Sequence, residues 1–241
     1  MGEADRVRQQ HRALAKLTLS LRVAGVRSDG YHLLEAEMAT VDLADLLTFD
    51  DEGDGVEVIG ADLPADELVA RALRAVGRRA GVVLEKRIPV GAGLGGGSAD
   101  AAAVLRWAGS TDLDLAATLG ADVPFCLVGG RAMVRGAGER IEPLPFVDAT
   151  YTVLTPPFAV STAAAYRAWD ELGGPTSDGP NDLEPAALRV EPRLAEWRDR
   201  LGEATGLVPA LAGSGASWFV GGAFPDVAGA VVTRTARPDR Q

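Results

Sequence analysis

The chain predicts a two-domain α/β (α+β) protein from three features: a strand-rich N-terminal stretch, a strand, glycine loop and helix near its middle, and a compact mixture of strands and helices after a proline pair. Its 241 residues suit one large domain or two small ones, and 47% hydrophobic against 24% charged residues supplies a core. Pro143 and Pro145 mark the expected boundary, dividing the chain into 1–147 and 148–241.

In residues 14–23, Leu17, Leu19, Leu21 and Val23 alternate with Lys16, Thr18 and Ser20, the period-two pattern of a half-buried strand. After the turn Ser28-Asp29-Gly30, residues 31–40 and 46–49 read as further strands and 56–59 as a short fourth. Leu68, Val69, Ala72, Leu73 and Val76 recur at helical spacing behind Pro64, which predicts an amphipathic helix over 64–79. A strand over 82–88 runs into a glycine loop, and the alanine-rich residues 99–107 form the next helix. A short helix at 113–119 and strands at 131–134 and 140–144 complete the first domain. The second reads as a strand at 151–154, a helix at 161–172, a loop to Pro180, helical residues to 204, strand-turn-strand around Gly213 to Gly215 and a last strand near Val231.

The single cysteine, Cys126, excludes an internal disulfide and any cysteine-cluster zinc site, and suits a reducing cytoplasm. Its apolar setting predicts a small core residue rather than a nucleophile. The charged first six residues lack the apolar centre of a secretory signal. The uncharged run Gly206 to Pro225 is interrupted by Pro209 and several glycines, so it reads as buried sheet rather than a membrane span. A net charge of -10 argues against nucleic acid or an anionic membrane as partner and leaves a small molecule. Monomer and homodimer both stay open. Of 24 basic residues only Lys16 and Lys86 are lysine, and Asn181 is the one asparagine. Against an arginine bias, a lysine suits a place that needs a compact ammonium.

Five glycines fall between Gly91 and Gly97, just ahead of a helix. Such a loop lets backbone amides approach an anion, and the helix N-terminus adds about half a positive charge. Gly91, Gly93 and Gly96 satisfy the G-x-G-x-x-G spacing, but no βαβ unit with a ribose-binding acid follows, which sets a dinucleotide fold aside. No Lys-Ser or Lys-Thr follows the last glycine, which excludes a Walker loop.

The segment Pro89-Val-Gly-Ala-Gly-Leu-Gly-Gly-Gly-Ser98-Ala99 resembles the phosphate loop of the GHMP kinases. Its long form is similar to the branch whose substrate is a cytidine diphosphate-linked methylerythritol. Ala15-Lys16-Leu-Thr18, Asp29-Gly-Tyr31-His32, Val41 to Asp45, Gly120-Ala-Asp122-Val-Pro-Phe125, Asn181 to Pro185 and Gly213-Ser214-Gly215 agree with it in order. The resemblance implies a GHMP kinase fold, with an N-terminal domain like domain 2 of ribosomal protein S5 and a ferredoxin-like C-terminal domain. It implies ATP held by Pro89, Val90, Gly91, Ala92, Gly93, Leu94, Gly95, Gly96, Gly97, Ser98 and Ala99. It makes Asp122 the base and Lys16 its partner, with substrate at Thr18, Tyr31, His32, Gly213, Ser214 and Gly215. No metal motif stands in the sequence, so Mg²⁺ is expected on the ATP phosphates, with Ser98 placed to touch it.

Each residue also has a plainer reading. Asp122 could cap a turn beside Pro124, Lys16 could be an exposed strand residue, Tyr31 could pack in the core beside a surface His32, and Asn181 could cap a helix. Gly213 to Gly215 could be an ordinary tight turn. His11 reads as solvated, and Trp107, Trp169, Trp197 and Trp218 as core. Thr18 stands where the family usually has asparagine, Ala99 replaces a second serine, and Glu67 opens a helix that usually begins differently. The alternatives are therefore a GHMP kinase for another small alcohol, such as homoserine or a sugar, and a nucleotide-binding homologue without turnover.

Overall fold

The computed structural model describes residues 8–61, 67–174 and 179–238. It begins with two 19-residue strands, β1 (Arg8–Val26) and β2 (His32–Asp50), paired antiparallel along their full length. The two strands expected over 31–40 and 46–49 are thus one, because the chain stays extended through residues 41–43, which bulge opposite Ala15, and pairing with β1 resumes at Ala44. β3 (Val56–Ile59), α1 (Glu67–Ala75) and β4 (Gly81–Glu85) follow as a parallel βαβ unit. The expected start of α1 at Pro64 lies outside the described residues.

Next come α2 (Gly96–Trp107), α3 (Leu113–Leu119), α4 (Val123–Val128), β5 (Arg131–Gly136) and β6 (Arg140–Pro143). α2 starts three residues before the alanine run, since Gly95 at φ 69° turns the chain into the helix and the small Gly96 and Gly97 fit its crowded first turn. The sequence reading missed α4, whose six residues are too few to show helical period. β1 occupies one edge of β2 throughout, while β4 and β5 share the other: β4 takes residues 46–50 and β5 residues 34–39.

The second sheet is built from β7 (Thr150–Leu154), then α5 (Thr162–Glu171), α6 (Glu184–Val190) and α7 (Leu194–Thr205), then β8 (Ala210–Leu211), β9 (Trp218–Gly221) and β10 (Ala230–Arg234). Its strand order is β10-β7-β9-β8. Among the described residues no helix is long and apolar enough to cross a membrane.

Three apolar clusters hold these layers. One lies between the first sheet and α1 to α4, a second lies under α6, α7 and β9, and a third joins the two sheets through Ala15, Leu17, Leu94, Ala212 and Phe219. A register shift between Thr18 and Ser20 divides the β1 pattern between clusters: Leu17 and Leu19 face the joining cluster, whereas Leu21 and Val23 face the first. One extra residue changes the side to which the following side chains point. His11 is not simply solvated: its ring meets Phe49 edge-on at 5.5 Å, and Phe49 stacks on Trp107. Trp218 is fully buried, and Trp107, Trp169 and Trp197 pack at cluster margins.

α2 carries the glycine loop on its N-terminus, and Leu105 anchors it within the first cluster. Replacing Leu105 by Ala is expected to cost about 2–5 kcal/mol by loss of burial plus a cavity. Urea unfolding monitored by circular dichroism checks this, and an unchanged midpoint would contradict that packing.

Candidate active site

A cleft of about 500 Å³ opens where the glycine loop, β1, α5 and the turn after β8 converge. Its floor is residues 89–95. Lys16 N donates to the carbonyl of Leu94 at 3.0 Å, and Ser217 N donates to that of Ala92 at 3.1 Å, so backbone from both sheets grips the loop. Space at Gly93 explains its residue type: a Cβ there would stand 2.6 Å from the carbonyl oxygen of Gly215, and φ is +76°. A Cβ at Gly95 would strike the Lys16 side chain at 2.7 Å.

The loop delivers the first turn of α2 into the cleft, where Gly96, Gly97 and Ser98 line it. Amides of a first turn have no acceptor within their helix, and they point with the positive end of the dipole. Ala99 is placed differently: its amide donates to Gly95 O at 2.8 Å and its methyl is buried in the first cluster. Ala99 therefore serves the core rather than the cleft lining, which explains why an alanine suffices there.

Lys16 is buried, contrary to the exposed-strand reading, because the loop and Gly213 cover the polar face of β1. Its Nζ donates to Thr18 Oγ1 at 3.0 Å and lies 3.3 Å from Asp122 Oδ2. Thr18 thus supplies an oxygen to the lysine. Asp122 occupies the N-cap position of α4 yet makes no capping bond; its side chain, 32% exposed, turns to Lys16 and the cleft. Asp112 and Ser161, by contrast, do cap α3 and α5.

A second lysine lies beneath the loop. Lys86 Nζ donates to Asp45 Oδ2 and, at 2.7 Å, to Asp100 Oδ2, both aspartates being fully buried. Asp45 also accepts the amides of Arg87 and Ile88. Burial by itself lowers the ammonium's pKa, but Asp100 and Asp45 outweigh it and hold Lys86 above its usual value. This cluster ties β2, the end of β4 and α2 together. The sequence marked Lys86 as unusual but not its partners; Asp100 among alanines was the available signal.

At the other end, Tyr31 lines the cleft with 43% of its surface exposed. His32 is buried and does not line it. Its Nε2 lies 2.8 Å from Asp170 Oδ1, and its ring stacks on Tyr166 at 4.6 Å with Trp169 edge-on. Tyr166 and Asp170 were missed in sequence, although their one-turn spacing on α5 places both on one face. Burial, reinforced by Asp122 and Tyr31, pushes the Tyr166 hydroxyl above its usual pKa. Gly213, Ser214 and Gly215 roof the cleft, and Ser214 Oγ meets Thr162 Oγ1 at 2.8 Å. Asn181 lies outside the lining and hydrogen-bonds this turn from behind. Cys126 is buried, and burial pushes its thiol up to about 12, which keeps it inert.

Residues 66–130 match the family described as the GHMP kinases N terminal domain. The solved homoserine kinase from Cytophaga hutchinsonii shares the fold, at a TM-score of 0.61 and 20% identity over 98% of this chain and 96% of its own. The crystal structure of a 4-(cytidine 5'-diphospho)-2C-methyl-D-erythritol kinase superposes with a TM-score of 0.76, at 35% identity over 95% of this chain and all of its own. A curated relative from Pelotomaculum thermopropionicum, named 4-diphosphocytidyl-2-C-methyl-D-erythritol kinase, is 41% identical over 95% of this chain and 94% of its own length. Another of that name, from Nitrosomonas europaea, is 38% identical over 86% and 85%. The chain belongs to the 4-diphosphocytidyl-2-C-methyl-D-erythritol kinase family, and its mixed α/β fold is that of the GHMP kinases.

Replacing Lys86 by Met leaves Asp45 and Asp100 buried without their cation and is expected to cost about 3–5 kcal/mol. Denaturant titration of the purified variant measures it. A loss below about 1 kcal/mol, the range of an exposed pair, would refute the account of a buried charge cluster.

Proposed function

We propose that this protein transfers the γ-phosphoryl group of ATP to the 2-hydroxyl of 4-diphosphocytidyl-2-C-methyl-D-erythritol, a step in non-mevalonate isoprenoid synthesis. The observation that carries the reading is the Lys16–Asp122 pair at the mouth of the glycine loop, with a carboxylate that forgoes helix capping to face the cleft. In this reading residues 1–147 hold ATP and residues 148–241 form a second domain that completes the acceptor side. The protein works in the cytoplasm, in keeping with its lone buried thiol.

The triphosphate lies over the loop, its oxygens taken by the amides of Gly96, Gly97 and Ser98 and by the positive end of α2. Asp122 takes the proton of the acceptor hydroxyl as its oxygen bonds to the γ-phosphorus and the bond from that phosphorus to the bridging oxygen breaks, releasing ADP. Lys16 holds the Asp122 carboxylate in place and offsets charge gathering on the transferred group. Among the described residues no group of three acidic, histidine or cysteine side chains could hold a metal. The oxygens of Ser98 and Asp122 at the cleft suit Mg²⁺ bound chiefly through phosphates. When bound, that ion neutralises phosphate charge.

At the far end Tyr31 and Tyr166 offer aromatic faces to the cytosine. His32, held by Asp170, backs Tyr166 rather than reaching the base with its own ring. The Lys16–Thr18 bond supports an active kinase over a homologue without turnover, since the departure at Thr18 leaves the lysine partnered.

Asp122→Asn keeps the shape and removes the base. It is expected to lower turnover about 10²–10⁴-fold, with ATP affinity by calorimetry unchanged. ADP release with and without the cytidyl substrate measures this. A rate near that of the unaltered protein would dismiss Asp122 as base. Cytidine diphosphate should compete with the acceptor and not with ATP, whereas a kinase for another alcohol would ignore it.

A further inference from the structure

We propose that Asn181 is a positioning residue for phosphoryl transfer, acting on Lys16 through the turn at Gly213 to Gly215; the inference rests on the roles given to Lys16 and Asp122 above. Asn181 is 1% exposed and lies behind the cleft. Its Nδ2 donates to the carbonyls of Leu211 at 2.8 Å and Gly213 at 2.7 Å, and its Oδ1 accepts the amide of Leu183 at 2.9 Å. The carboxamide therefore grips the turn at two points from a fixed base.

That base is tied to the strand that carries the lysine. Leu21 N donates to Pro180 O at 2.8 Å, and Asp182 N donates to Leu21 O at 2.9 Å. The Asp182 carboxylate accepts Val23 N at 3.0 Å and pairs with Arg22 at 2.6 Å. Asn181 is thereby locked to β1 five residues beyond Lys16.

The turn it holds is a wall of the lysine's pocket. A Cβ on Gly213 would stand 3.3 Å from Lys16 Nζ and 3.5 Å from Thr18 Oγ1, so Gly213 faces the ammonium across a space that one methyl group would fill. The carbonyls of Ala212 and Gly215 bear on Gly93 from the same turn. Without the two Nδ2 donors, two buried carbonyls lose their partners and the wall is free to move from Lys16, which then aims less firmly at Asp122. No side chain of equal size matches this set: an ionised aspartate has acceptors only, and a glutamine is one carbon too long.

The test uses the full chain with Asn181→Asp, which keeps the shape and removes both donors, and Asn181→Ser, a smaller perturbation that keeps one. Steady-state ADP release is expected to show kcat down by about tenfold or more for Asn181→Asp and less for Asn181→Ser, with ATP affinity by calorimetry within about twofold. Thermal melts select the variant that is folded at the assay temperature. The decisive readout is a cycle with Lys16→Met: if Asn181 acts through the lysine, either Asn181 substitution adds little to the residual rate of Lys16→Met. Full additivity, or an unchanged kcat in a folded Asn181 variant beside an impaired Lys16→Met, overturns the inference and leaves the proposed reaction standing. An unimpaired Lys16→Met removes the role of Lys16 and the inference with it.

Discussion

Close approach of three backbones at the glycine loop is the constraint on which the rest of the structure depends. β1 meets the loop at Leu94, the segment after the Gly213 turn meets it at Ala92, and Gly93 sits under the carbonyls of Ala212 and Gly215. A side chain at Gly93 would hold the two sheets apart. Where the main chains do touch, Ala15, Leu17, Leu94, Ala212 and Phe219 close a cluster between the sheets. The same packing covers the polar face of β1, so that a lysine on a strand becomes a buried cation.

The electrostatics follow from that burial. An ammonium removed from water needs partners, and each of the two lysines has them in a different form. Lys86 lies between two fully buried aspartates and braces the underside of the loop. Lys16 has a hydroxyl and a partly exposed aspartate, an arrangement that leaves one carboxylate facing the cleft. Arginine serves elsewhere on the chain, but its planar fork is poorly suited to the narrow space between Gly95 and Gly213. Among the described residues lining the cleft, only Lys16, Lys86 and Asp122 are charged, so an anion bound there would rely on amides and the helix dipole as well as on lysine.

The parts legible in the sequence are those set by local pattern. α3 and α5 sat behind capping residues, Asp112 and Ser161, and were expected at nearly their observed bounds. β3 and β5 alternated clearly. The glycine loop stood out as a place for an anion because glycines ahead of a helix permit close backbone approach whatever surrounds them. What failed to show was non-local: the fusion of 31–40 and 46–49 into β2 came from pairing with β1, and the changed facing of Leu21 came from an irregularity in that pairing. The burial of Ala99 depended on the packing of α2 rather than on the loop motif.

The sequence by itself determined most of the element types, the openness of the glycine loop to an anion and the identity of Lys16, Asp122 and Asn181 as unusual or motif-bearing residues. Only the tertiary structure decided that Asp122 turns away from its cap toward Lys16, that Asp45 and Asp100 share Lys86, and that Asp170 holds His32 behind Tyr166. The reason is physical. Turns, caps and helical or strand period are written within a few residues, whereas these pairs join residues that are mostly dozens of positions apart. Their meeting exists only after the two sheets close on a loop that has too little side chain to keep them apart.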